Sequence, residues 1–312
     1  MINMKEIKVG QINFYKNERW GDTGKYRIMM VLESFNKFSN KYHYEYYDCL
    51  ETECDIVFYS LYNDIERLKL CKGNPMFIYW TDELYAQGSN QIFNNPFEFY
   101  KQNNLSISFN IDSNDNCYFP YGFLDNYYNV IRSFTENKVN IQDKIKFCTF
   151  CASNESVYDA QYRTSLVKYI SSTYKEITCC GKVLNNTNGE YLPWRIDDAI
   201  KYHKHYKFNF CFENASSKND QKYITEKIVN AFMYRTVPIY WGCENINEFF
   251  NKDAFINCNG MTNEEILNKI KEVDNNDELY MYMINQYPFK YRSIDYREYF
   301  FEKIMKFIEN NI

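Results

Sequence analysis

The chain has 312 residues, 45% of them hydrophobic and 25% charged, with a formal net charge of −5. That length allows two ordinary domains with a sizeable core, and the acidic balance argues against a general nucleic-acid binder, which needs a basic surface. No apolar run approaches the roughly 18 residues of a membrane span, and the opening MINMKEIKVGQINFY lacks the apolar centre of a signal peptide, so the chain is expected in the cytoplasm.

In chain order, strands are expected at 7–14, 42–47, 56–61, 76–80 and 106–109, with helical patterns at 27–38 and 64–71. The alternation suggests an α/β layer domain. A polar section from 125 to 143 marks the boundary, giving one domain at 1–140 and a second at 141–312. The second restarts with a strand at 145–151, a helix at 159–172, a strand at 176–179 and a helix at 196–205. Phe208, Phe210 and Phe212 then alternate with Asn209, Cys211 and Glu213, the period of a strand. The polar run from Asn214 to Gln221 reads as a loop. Ile224, Ile228 and Phe232, with Ala231, mark one face of a helix opening at Thr225. Residues 237–241 form a short buried strand closed by Gly242. From 263 the chain is mostly helical, and its last stretch, 296–309, is amphipathic.

The eleven Cys are odd in number and irregular in spacing. Cys148 and Cys151 make a single C-x-x-C and Cys179 and Cys180 are adjacent, which is a weak zinc signal. Cys148, Cys211 and Cys243 sit in apolar, strand-like contexts and read as buried free thiols. His203 and His205 flank a Lys at the end of a helix, where a cation suits the dipole. No G-x-G-x-x-G, G-x-x-x-x-G-K-[ST], G-x-S-x-G or H-E-x-x-H occurs, so the usual dinucleotide, P-loop, hydrolase and zinc-protease signatures are absent.

The informative unit is 206–242. Strand, loop, helix and strand in succession build parallel sheets, and ligands sit at the loop that leaves the strand. Here that loop runs between Glu213-Asn214 and Tyr223, Thr225, Glu226 and Lys227. The helix start aims unpaired N–H groups at it, which favour anions. Lys227 in the first turn is poorly placed for the dipole and well placed for a phosphate.

FNFCFEN, YITEKIVNAF and TVPIYWG, in this order and spacing, resemble the donor-site signature of the α1,3-fucosyltransferases that use GDP-fucose. KFCTFCASN (146–154) resembles that family's strand leading into the donor domain, and Arg163 falls where its members carry a phosphate-binding Arg. CCGKVLNN (179–186) resembles a strand end of the same domain. In the first half, FIYWTDE (77–83) resembles the segment ending in a catalytic Glu, and SISFNID (106–112) the strand after it. The donor half matches closely and the acceptor half loosely.

The resemblance implies two Rossmann-like domains facing across a cleft, the GT-B arrangement: acceptor-binding at 1–140 and GDP-fucose-binding at 141–312. The last helix either packs back on the first domain or rests on a membrane surface as a peripheral contact. The activity implied is that of an α1,3-fucosyltransferase: inverting transfer of L-fucose from GDP-fucose to an oligosaccharide, expected at O3 of N-acetylglucosamine or glucose. No cofactor or metal is expected, since side chains and a helix end hold the diphosphate. The alternatives are a transferase for another GDP-sugar, or a donor-binding module without turnover.

Inverting transfer needs a base on the acceptor hydroxyl and positive charge on the leaving diphosphate. Arg163 and Lys227 supply the charge. Glu83 is the expected base, with Asp82 its neighbour if the register slips by one; this family has a small residue before the Glu, and here it is Asp. Glu226 is expected beside the ribose or fucose. Asn214 and Tyr223 would contact sugar or nucleotide, and Lys182 would reach the nucleotide. Glu213 is either a sugar ligand or a brace for the loop. That loop is longer than the family pattern, with Ser216, Ser217, Lys218 and Asn219 as candidates for a lid.

Overall fold

The computed structural model describes residues 4–12, 16–17, 21–60, 65–81, 105–136, 138–155, 159–193, 196–216 and 222–312. The chain divides into two compact units: Met1–Phe119 with Asp295–Ile312, and Pro120–Ile294.

The first unit is built on six parallel strands: β1 (Lys5–Ile12), β4 (Tyr42–Tyr46), β5 (Ile56–Tyr59), β6 (Met76–Trp80), β7 (Leu105–Ser108) and β8 (Asn116–Tyr118). They lie in the order β4-β1-β5-β6-β7-β8. A two-stranded ribbon, β2 (Lys16–Asn17) and β3 (Gly21–Asp22), stands apart. Strands β5 and β7 are buried along their whole length, as parallel strands covered on both faces must be. Helix Thr23–Phe38 turns Ile28, Val31, Leu32 and Phe35 into this core.

The last helix, Tyr296–Glu309, belongs to the same unit. Its apolar face, Phe300, Phe301, Ile304 and Ile308, is buried, and the Phe301 ring stacks on Phe119 at 6.1 Å. Ser39 Oγ donates to Glu309 at 2.6 Å, and Lys303 Nζ donates to Asp112 at 2.7 Å. The helix thus packs back on the first unit. The face that would lie on a membrane is spent in that packing, so a membrane-resting role for this helix falls away. Among the described residues no helix is long and apolar enough to cross a membrane.

The second unit carries β9 (Lys146–Phe150), β10 (Ile177–Cys179), β11 (Tyr206–Phe212), β12 (Val237–Trp241) and β13 (Ile256–Asn257), all parallel, in the order β10-β9-β11-β12-β13. Cys148, Phe208, Phe210, Val237 and Ile239 fill its core with Leu166, Ile170, Ile266 and Ile270 from the flanking helices. The eleven thiols are all free; Cys148, Cys211 and Cys243 are buried as expected, and Cys151 is exposed.

The division differs from the 140/141 boundary expected from composition. The polar stretch holds helix Tyr127–Glu136, and the short helix Gly122–Asp125 leads into it. Their inward residues face the second unit: Phe123 and Tyr127 meet the Phe289 ring at 5.6 and 4.9 Å, Ser133 Oγ donates to Met233 O at 2.6 Å, and Asn126 bonds Asn230 at 2.7 Å. Two aromatic rings and two polar side chains make these contacts, so a stretch whose composition suggests a boundary folds into the second unit.

His203 is not the helix-end cation that its position suggested. It is fully buried, with Nδ1 3.1 Å from Thr149 Oγ1 and its ring stacked on Tyr234 at 4.1 Å. Burial and the neighbouring Lys144 hold it neutral, with its pKa drawn down from 6.5 to about 3. The unfolded chain binds this proton below pH 6.5 and the folded chain does not until near pH 3, so the stability it contributes is lost as pH falls through that window. Between pH 7 and 5 this one group removes about 2 kcal/mol. Urea denaturation at the two pH values should show a His203→Gln variant losing less stability than wild type by roughly that amount; equal losses would contradict the buried neutral assignment.

Candidate functional site

The order β10-β9-β11 reverses the direction in which the sheet grows: from β9 the chain adds β10 on one side and β11 on the other. The crevice at the carboxyl ends of β9 and β11 is therefore the topological switch point, where open α/β sheets bind ligands. The residues following β11 there are Glu213, Asn214 and Ala215, and those following β9 are Cys151 to Asn154.

Arg163, in helix Ala160–Thr173, joins the two strand ends. One guanidinium nitrogen donates to Asn214 Oδ1 at 2.6 Å and to Phe212 O at 3.4 Å, and the other donates to Asn154 O. Arg163 is 2% exposed, and its Nε has no partner among the described residues. Burial draws the guanidinium down from its ordinary value, opposed by Glu213, Tyr223 and Glu226. Its charge lies at the switch point while its terminal donors are engaged by protein.

Glu213 is the pivot. Its carboxylate is wholly buried and accepts from Thr225 N at 2.8 Å, Thr225 Oγ1 at 2.7 Å and Lys227 Nζ at 3.1 Å. Burial raises its pKa, opposed by Lys227. Lys227 moves up as well: burial alone would lower it, and Glu213 and Glu226 outweigh that, so it stays an ammonium. Of the two roles open to Glu213, the geometry supports the brace: every contact named is to the opening of the next helix. That helix, Glu226–Met233, is capped by Thr225, whose hydroxyl accepts from Lys227 N at 3.5 Å. It buries Ile228, Val229, Ala231 and Phe232. Lys227 Nζ also lies 2.9 Å from Thr225 Oγ1 and 3.8 Å from a Glu226 oxygen. Its side chain keeps 19% exposure, with the ammonium oriented by Glu213 and Thr225.

Of the other expected residues, Glu226 is half-exposed at the first helical position and Tyr223 is 2% exposed. Asn214 is part-buried against Arg163. Lys182 lies exposed past the end of β10, tied to the group by no hydrogen bond or ion pair among the described residues. Glu83 and Asp82 lie outside the described residues, as does most of the stretch with Ser217, Lys218 and Asn219. Among the described residues no three His, Cys, Asp or Glu side chains converge to hold a metal ion.

Two glycines, one of them unremarked in the sequence, shape the site. A Cβ on Gly122 would come within 2.4 Å of Thr225 O, so only Gly lets that helix approach the cap of the next. A Cβ on Gly242 would lie 2.6 Å from Glu213 Cγ, at a φ of +154°. Gly242→Ala is expected to cost about 1–3 kcal/mol, since backbone or carboxylate must shift. A thermal melt indistinguishable from wild type would show that the crowding is relieved elsewhere.

A parallel α/β sheet whose switch point carries a helix start and an ammonium, with a buried guanidinium beside them, has the features of an anion-binding site. Residues 141–303, just over half the chain, match the family described as glycosyltransferase family 10 (fucosyltransferase), C-terminal part. The chain therefore belongs to that family, and its two parallel-sheet units make the fold a GT-B one. It is similar to the alpha-(1,3)-fucosyltransferase FucT of Helicobacter pylori, 30% identical over 159 residues, covering 51% of this chain and 30% of that protein. It is also similar to the putative fucosyltransferase R654 of Acanthamoeba polyphaga mimivirus, 31% identical over 155 residues, covering 47% and 24%. The matches thus span about a quarter to a third of those relatives' length. A crystal structure of an alpha1,3-fucosyltransferase with GDP-fucose shares the fold at a TM-score of 0.67 and 20% identity, over 99% of this chain and 91% of that one.

Proposed function

We propose that the chain transfers L-fucose from GDP-fucose to a hydroxyl of an oligosaccharide, as an inverting α1,3-fucosyltransferase with O3 of N-acetylglucosamine or glucose as acceptor. The observation that carries this reading is the Lys227 ammonium at a helix start, held by buried Glu213 at the switch point and lying within the family match. Negative charge grows on the diphosphate as the bond to fucose breaks. Lys227, the N–H groups opening helix Glu226–Met233 and the nearby Arg163 charge stabilise it most at that moment. These groups supply the positive charge without calling on a metal.

Inversion requires the acceptor oxygen to attack from the face opposite the diphosphate while a base removes its proton. Glu83 takes that role in this reading, with Asp82 the alternative if the register slips by one. Glu226, half-exposed beside Lys227, accepts hydroxyl hydrogen bonds from ribose or fucose. Asn214 and Tyr223 line the donor, and Lys182 extends the cationic rim toward the nucleotide. Localisation in the cytoplasm is part of the same proposal.

A transfer assay on a glycan array, with a panel of GDP-sugars and with and without EDTA, tests the reading. The expected outcome is fucose incorporation from GDP-fucose, unchanged by EDTA. Preference for GDP-mannose would overturn the donor assignment. GDP-fucose binding with no transfer to any acceptor would favour a donor-binding module.

A further inference from the structure

At the end of the second unit's sheet opposite the switch point lies a cavity of about 210 Å³. Its lining includes Lys138, Lys144, Lys201, Lys204 and Arg235, with Asp143 the one carboxylate. Its position follows from the topology: Lys144 precedes β9, Lys204 precedes β11 and Arg235 precedes β12. We propose that this cavity is a second anion site, distinct from the one at Lys227, and that it takes a phosphate group.

Two of the cations are part of the interior. Lys144 is 6% exposed and Arg235 8%. Lys144 Nζ donates to Tyr206 O at 3.0 Å and to Arg235 O at 2.5 Å, which fixes the ammonium at the cavity without neutralising it. The Arg235 guanidinium lies over the Phe134 ring at 4.2 Å and reaches Asn285 Oδ1 at 3.4 Å, and its Nε has no partner among the described residues. Its backbone is held at a φ of +54°, a conformation that non-glycine residues rarely adopt. That φ is the left-handed turn closing helix Glu226–Met233, where Arg235 N donates to Phe232 O at 3.0 Å and Thr236 N to Ala231 O at 3.1 Å, whereas the buried, unpartnered guanidinium nitrogen is a cost that a compensating group would offset.

At the rim, Lys201 is shared with Asp198 at 3.7 Å, whereas Lys138 and Lys204 have no ion pair among the described residues. Burial pulls the Lys144 pKa down to about 7, with Arg235 adding repulsion, and burial pulls Arg235 down to about 10. The cluster thus carries a charge cost that a dianion in the cavity would relieve. Lys138, Lys204 and Arg235, with Lys144 partly charged and Lys201 shared with Asp198, still outnumber Asp143 and exceed what a single carboxylate ligand requires. Phosphate supplies two charges and oxygens in several directions, which suits both the lysines and an Arg fork. The small volume and the chain's net charge of −5 favour one phosphate group over a nucleic-acid strand.

Calorimetric titration of inorganic phosphate into the full chain tests this, using wild type, a Lys201→Glu/Lys204→Glu double variant on exposed positions, and Lys227→Ala. The expected result is a site weakened at least tenfold in the double variant and retained in Lys227→Ala. Phosphate binding unchanged in the double variant, or lost only in Lys227→Ala, would overturn the proposal, as would no binding by wild type. Co-sedimentation with phosphatidylcholine vesicles containing phosphatidic acid separates the sources. Sedimentation lost in the double variant identifies a lipid headgroup, and phosphate binding without sedimentation identifies a soluble phosphomonoester.

Discussion

Lys227→Ala is expected to lower fucose transfer by about 10²–10³-fold, the loss seen when one preorganised stabiliser of developing charge is removed. The ammonium is fixed before any donor arrives, because Glu213 and Thr225 grip it at 3.1 and 2.9 Å. No reorganisation is then needed as the diphosphate leaves, and the loss should fall more on kcat than on KM. The substitution also leaves the buried Glu213 carboxylate with only the two Thr225 donors, so some destabilisation is expected. A melting curve and a GDP titration run beside the kinetics separate the two effects. A folded variant within a few-fold of wild-type turnover would show that Lys227 does not meet the leaving group.

Glu83→Gln is expected to reduce transfer by on the order of 10²–10⁴-fold, the usual contribution of a general base, while GDP binding stays intact. The expectation rests on sequence and on the strand that leads to it. β6 ends at Trp80 and runs parallel to its neighbours, and Glu83 follows three positions on in the sequence. Asp82→Asn serves as the internal control. If that variant is the inactive one and Glu83→Gln is active, the base lies one residue earlier; if both retain full activity, the base is neither.

How far the chain could be read depended on whether its signals were local. β6 and β12 fall on the expected 76–80 and 237–241 because they are short unbroken apolar runs, one opened by Pro75 and the other closed by Gly242. The Phe208/Phe210/Phe212 alternation likewise gave β11, and Thr225 the start of its helix. β8 was missed: its three residues, Asn116, Cys117 and Tyr118, are too few to show a period. Asn116 earns its buried place by accepting from both Ser106 and Ser108 at 2.7 Å, a contact between separate strands. Within 64–71, expected as helix, the described residues form a 3-10 helix, Ile65–Leu70.

The site was legible in part for the same reason. Lys227 and Arg163 could be singled out from helix position and resemblance, and Arg163 proves to bridge the ends of β9 and β11. That Glu213 is a brace follows only from its burial and its bonds to Thr225 and Lys227 across a loop, which spacing does not encode. Gly122 gave no local signal, because the backbone it must clear lies about a hundred residues further along the chain.

Crystals of the chain soaked with GDP provide the most direct measurement. The diphosphate should lie within hydrogen-bond distance of Lys227 Nζ and of the N–H groups that open helix Glu226–Met233, beside the ends of β9 and β11. Nucleotide bound elsewhere, with the Glu213–Lys227 pair unchanged and Lys227 touching no phosphate, would contradict the assignment of this turn as the donor site.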